Sequence, residues 1–303
     1  MNRPSKEERI KFHVDYSPDT AFSSYARYLQ SKWRENKGYP TQANKYGNYL
    51  ERNFAEKTKS NFLTNKIKAI VNQEVFNAKT NGKLISEPRI WDNLLSSQPL
   101  CFNLFGELAD NLELATRFFS ELFPNKIDKI LSVQFEHSPG RGDKQYTGDR
   151  SAFDVFIEYK KADHKGFIGI EVKYAESLKE ERQKKSDSIF EAHKNEYTRL
   201  TTINHFHPNS INQLKRVPIF QIWRDHMLSI SLLQEYSTGF FVFLYPSQNE
   251  QCQKGVDLYK KYLISTDENI TGFYPRFLED FIDMLITLCP TEWTYELKKR
   301  YLG

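Results

Sequence analysis

Two short apolar runs hold the polar residues best suited to chemistry. They are Phe153-Asp154-Val155-Phe156-Ile157-Glu158 and Gly169-Ile170-Glu171-Val172-Lys173, and both read as strands. Side chains alternate faces along a strand, so Glu171 and Lys173 project from the same side. The same rule predicts Phe153, Val155 and Ile157 on one face, with Asp154, Phe156 and Glu158 on the other. Ile168, Ile170 and Val172 then face the core, opposite Phe167, Gly169, Glu171 and Lys173. If the strands pair as a hairpin, Asp154 and Glu171 approach closely enough to share a hard cation, and the Val172 carbonyl could add an oxygen. Mg²⁺ suits such a site, since it binds through one or two carboxylates plus water and phosphate, and Mn²⁺ is a substitute. Lys173 would position or help deprotonate an attacking water and offset charge on a scissile phosphate. The alternative is a solvated hairpin face with cross-strand ion pairs. Phe156 and Phe167 on that face imply partial burial, and a buried carboxylate needs a partner.

The elements that must position these groups are legible in the pattern. Residues 130–136 alternate as a strand, followed by the loop His137-Ser138-Pro139-Gly140-Arg141-Gly142-Asp143. Residues 152–159 and 167–174 are two more strands, and the turn from Lys160 to Gly166 is short enough for an antiparallel hairpin. Gly239 to Tyr245 reads as a buried strand. Helices are predicted over 20–36, 61–79, 186–201, 217–235, 255–264, 274–288 and 291–301, and as one unbroken helix from Leu100 to Leu122. The order is helix, three strands, helix, strand, with additional helices at both ends. The expected class is α/β, with a mixed sheet flanked by helices. Residues 1–95 form a basic helical N-terminal elaboration, 96–250 the core and 251–303 C-terminal helices packed on it. No linker separates them, so one continuous structural domain is expected.

This order, with Asp154 on the second strand and Glu171-Val172-Lys173 on the third, resembles the PD-(D/E)XK nuclease superfamily, the restriction-endonuclease-like fold. The run from Leu94-Leu95-Ser96-Ser97-Gln98-Pro99 through Glu136-His137-Ser138-Pro139-Gly140-Arg141 to Gly169-Ile170-Glu171-Val172-Lys173 is similar to bacterial members related to restriction enzymes. The residue before Asp154 is Phe153 rather than the proline of the motif. The resemblance implies a metal-dependent phosphodiesterase acting on DNA, with Asp154 and Glu171 as ligands and Lys173 as the catalytic lysine. It also implies an acidic residue from the first helix, for which Glu107 is the candidate, with a plain solvent-facing glutamate as the alternative. Glu136, ending the first strand, is a second candidate ligand. Gln221 and Arg224 share a helix face and are candidates to hold phosphate or a metal-bound water, against a structural glutamine and a surface arginine.

In the glycine-rich loop 137–150, Arg141 and Arg150 are candidate phosphate contacts, because glycines let backbone approach a phosphate and arginine forks pair with it. The ending of a P-loop is missing, as is a Gly-x-Ser-x-Gly elbow. His205 and His207 lack a nearby cysteine or third ligand and read as loop residues.

Net charge is +4, unevenly placed. Residues 1–90 hold 17 Lys/Arg against 9 Asp/Glu, leaving the remainder net acidic. Tyr25, Tyr28, Trp33, Tyr39, Tyr46 and Tyr49 sit there among Arg27, Lys32, Arg34, Lys37, Lys45 and Arg52, a mixture that suits nucleic-acid contact or, equally, an amphipathic helical region whose rings pack. No apolar run approaches the roughly 20 residues of a bilayer span, and the charged start lacks an apolar segment of secretory type. Three scattered cysteines suit a reducing cytoplasm. The expectation is a cytoplasmic DNA endonuclease of restriction or defence. The alternatives are a non-catalytic nucleic-acid-binding protein on the same fold and a structure-selective recombination or repair nuclease. A homodimer would help make double-strand breaks, but no heptad seam declares one.

Overall fold

The computed structural model describes residues 2–178, 182–203 and 205–303. Among them, five strands form one mixed sheet in the order β1 (Lys129–His137), β2 (Phe153–Lys161), β3 (His164–Val172), β4 (Thr238–Tyr245) and β5 (Phe273–Phe277). The first three pair antiparallel, β2 with β3 across a tight turn and β1 with β2 across the long loop 138–152. β3 to β4 and β4 to β5 are parallel, with helices in the crossovers.

Alternation sorts the apolar residues to two faces. Val155, Ile157, Ile168, Ile170, Val172, Val242 and Leu244 pack against the helices Ser97–Asp110, Leu112–Leu122 and Leu278–Leu288. Phe156, Phe167, Phe241 and Phe243 pack on the other side against Phe220–Leu232, Gln183–Ala192, Lys194–Thr201 and Glu250–Lys260. Strands covered on both faces read as near-continuous apolar runs, as β4 does. Phe156 and Phe167 are only 2% and 0% exposed, so the hairpin is not a solvated surface feature.

Phe153 departs from the expected alternation. Its ring lies with Phe156 and Phe167, not with Val155 and Ile157. Gly169 makes the room, since a Cβ built there would overlap the Phe153 ring. Three further differences have local causes. Leu100 to Leu122 is two helices, because the Asn111 side chain accepts the Leu114 N–H and starts a second one. The first begins at Ser97, before Pro99, since proline is tolerated in a first turn whose N–H groups have no helical acceptor. The region 186–201 is likewise split at His193. Residues 274–277 belong to β5 rather than a helix. Pro275 would break a helix interior, but on an edge strand its missing N–H can face away from the sheet.

The basic aromatic N-terminal region turns much of its chemistry inward. Arg27 stacks with Tyr16 and Tyr46, pairs with Asp19 at 2.7 Å and donates to Asn48 at 3.0 Å. Buried Arg34 donates to the carbonyls of Gly47 and Tyr39. Trp33 lies against buried Arg300 and donates to Glu296. For these three residues, packing replaces the expected nucleic-acid contact. No helix among the described residues is long and apolar enough to cross a membrane.

Candidate active site

Register places three carboxylates in a row. Phe135 pairs with Val155 and His137 with Phe153, which sets Glu136 level with Asp154. Val155 pairs with Ile170, so one residue further on Asp154 stands level with Glu171. Adjacent strands lie about 4.8 Å apart. Where the β2–β3 ladder would continue, the Asp154 Oδ2 instead accepts the Val172 N–H at 2.8 Å. That bond ties the Val172 peptide to the acid.

Each member of the row has its own support. Glu171 Oε1 accepts from Lys173 Nζ at 2.7 Å and from Gln221 Nε2 at 2.7 Å. The Lys173 N–H extends the pairing to β4 by donating to the Leu244 carbonyl at 2.8 Å, which fixes the start of its side chain. Glu136 sits at φ 48°, a left-handed conformation unfavourable for a residue with a Cβ. Its Oε1 accepts from Gln98 Nε2 at 2.5 Å.

Burial, then the charges of Glu171 and Glu136, push the Asp154 carboxyl well above the usual carboxylate range. Burial is also the main force raising Glu136 to about 7, with the Gln98 hydrogen bond opposing and Glu171 adding to it. For Lys173, burial disfavours the charge, but the attraction of Glu171 and Asp154 outweighs it and its pKa rises. Lys173 is therefore an ammonium in this arrangement. A row of partly compensated carboxylates beside one ammonium is the electrostatic signature of a site poised for further positive charge.

The row opens on a cavity of about 470 Å³ lined also by Arg150, Gln221 and Arg224. Arg150 arrives on the loop between β1 and β2, which is tied down. Asp149 accepts from Ser151 N–H at 2.9 Å and from the Tyr197 hydroxyl at 2.5 Å, while Arg199 donates to the carbonyls of Gln145 and Tyr146. Arg141 does not line the cavity; it donates to the Gly82 carbonyl. Glu107 is not brought to the row either. Its carboxylate accepts from Thr64 Oγ1 at 2.5 Å. It follows Gln98 by nine residues on one helix, hence roughly 13 Å along the axis. The residue that this helix presents to the row is Gln98.

A family model for the PD-(D/E)XK nuclease superfamily matches residues 17–303. The chain belongs to that superfamily. The five-stranded mixed sheet flanked by helices agrees with a PD-(D/E)XK core. No curated protein and no solved structure matches the chain.

PD-(D/E)XK proteins typically use divalent metals, and the residues present fit one. The donors are all oxygen, Asp154 has only Oδ2 engaged by a hydrogen bond among the described residues, and burial leaves its charge undercompensated. Among the described residues, no three or more His, Cys, Asp or Glu side chains converge to hold an ion unaided. The fit therefore rests on Asp154 and Glu171 completed by water and phosphate, the mode expected of Mg²⁺, with Glu136 level beside them as a supplementary oxygen.

Three residues of the site escaped the sequence reading. Gln98 stands in the first turn of its helix, where the Ser96 cap fixes its direction. Asp149 was signalled by its own turn, since its carboxylate bonds the N–H two residues on. Asp225 lines the cavity one helical turn beyond Gln221, a spacing that could have pointed to it. It is 2% exposed, its Oδ2 has no hydrogen-bond partner, and burial followed by Glu171 pushes its carboxyl well up.

Proposed function

We propose that the chain is a divalent-cation-dependent endonuclease that hydrolyses DNA phosphodiester bonds, using Mg²⁺ with Mn²⁺ as a substitute, in restriction of or defence against foreign DNA. The observation that carries this reading is the level row Glu136, Asp154 and Glu171, with Lys173 against it, opening on a cavity that also holds Arg150, Gln221 and Arg224.

Asp154 and Glu171 are the proposed ligands, with Glu136 and the Val172 carbonyl as additional oxygens. A bound divalent cation supplies Lewis acidity at the scissile phosphate. Lys173, held by Glu171, would present its ammonium where negative charge develops on phosphorus-bound oxygen. Gln221 keeps Glu171 oriented through its amide. Arg150 and Arg224 grip phosphate through their forked donors. The three cysteines are unpaired, which suits a reducing compartment such as the cytoplasm.

The test is cleavage of supercoiled plasmid with Mg²⁺, using EDTA and Lys173→Ala as controls. Removing a group that stabilises transition-state charge costs on the order of 10²–10³ in rate. Cutting that continues in EDTA, or at wild-type rate in Lys173→Ala, refutes the assignment. Restriction adds a second requirement: methylated and unmethylated plasmid must be cut at different rates.

A further inference from the structure

Gln98 is buried, 5% exposed, and every hydrogen-bonding group of its side-chain amide is committed. Its Oε1 accepts the Ser86 N–H at 3.1 Å. A backbone N–H can only donate, so this contact fixes which end of the amide is oxygen. Nε2 must then face the other way, where it donates to the Leu84 carbonyl at 3.0 Å and to Glu136 Oε1 at 2.5 Å. The amide cannot turn over without breaking all three contacts.

Glu136 needs such a restraint. Its backbone is left-handed at φ 48°, and a glutamate side chain has three torsions to order before its carboxylate can serve as a ligand. Asp154 and Glu171 have restraints of their own, from the Val172 N–H and from Lys173 with Gln221. For Glu136 the corresponding side-chain partner is Gln98.

We infer that Gln98 is a positioning residue that aims the Glu136 carboxylate at the cation site. The inference rests on the cation-dependent reading above and adds the residue that sets its third carboxylate. Gln98 touches neither cation nor substrate. It acts by holding Glu136 in the one arrangement that completes the row. Losing a partner of this kind typically lowers metal affinity about 10–100-fold.

The experiment is calorimetric titration of the full chain with Mn²⁺ at pH 8 without DNA, alongside metal-free thermal unfolding. Gln98→Met keeps the length of the side chain and removes its donor. The expected result is a 10–100-fold weaker Mn²⁺ affinity. Glu136→Gln is expected to lose a similar factor, and Gln98→Met placed in that background to lose no more, to within about twofold. A residue that merely stabilised the fold would lower the unfolding midpoint without this non-additivity. If Gln98→Met does not fold, Gln98→Asn, which keeps the amide but shortens its reach to Glu136, takes its place in the same cycle, and wild-type affinity in Glu136→Gln overturns the inference in either case. Unchanged affinity in Gln98→Met, or losses that multiply in the double variant, also overturn it while leaving cation dependence standing. A wild type that takes up no Mn²⁺ overturns both.

Discussion

Replacing Asp154 by asparagine separates the electrostatics of the site from its fold. Asp154 lies between Glu136 and Glu171, one strand away on each side. At a strand spacing of about 4.8 Å and an effective dielectric constant near 20, each repulsion is worth roughly 3 kcal/mol when both groups are ionised. Lys173, attracted to both Asp154 and Glu171, offsets about one of the two. Asparagine keeps an oxygen to accept the Val172 N–H, so the strand ending survives. Without metal at pH 8, Asp154→Asn is therefore expected to be more stable than wild type by about 1–3 kcal/mol. A cation at a hundred times its Kd stabilises wild type by about 2.7 kcal/mol, or about 4 °C in Tm for a chain of 303 residues. In Asp154→Asn that increment should fall below about 1 kcal/mol. Thermal unfolding of both proteins in EDTA and in saturating Mg²⁺ gives the four midpoints required. A variant less stable than wild type in EDTA, or one with the full Mg²⁺ increment, refutes the reasoning.

Two further outcomes follow from groups around the site. Asp225→Asn replaces a buried acid whose Oδ2 has no hydrogen-bond partner, and should raise stability by about 1–2 kcal/mol in denaturant unfolding; a lower midpoint would mean the charge is compensated in place. His226 is held neutral, with its Nε2–H donating to the Thr271 carbonyl and its Nδ1 accepting from Tyr259, and burial followed by nearby His205 lowers its pKa to about 3. Its folded pKa lies below the unfolded value of about 6.5, so the unfolded chain binds the extra proton and stability falls as pH drops from 6.5 toward 3. His226→Asn should flatten that decline by about one proton, leaving the similar contribution of His137, which burial lowers to about 4. An unchanged slope between pH 6 and 4.5 would contradict it.

The parts of this protein that were legible in sequence are those governed by local period. The four longer strands, the hairpin and the shared side of Glu171 and Lys173 follow from alternation every two residues, which the sheet preserves because both of its faces are buried. What was not legible depends on partners distant in the chain. Phe153 changes face because Gly169, on the neighbouring strand, leaves space for a ring. Glu107 has the right residue type on the right helix, but distance along the axis decides, and only the assembled structure shows that Gln98 faces the row. β5 is short and contains a proline, and it becomes a strand only because β4 offers it an edge. Arg27 and Arg34 looked like surface charge in a basic segment, yet each found acceptors that the sequence could not place beside it.

The left-handed backbone at Glu136 sets two demands of evolution against each other at one codon. Glycine would relax the main chain there, since it alone occupies that region without penalty. It would also delete an acid from the row. Relief of backbone strain and retention of the acid therefore pull in opposite directions at this position, and a glutamate kept here would record selection for what the carboxylate does.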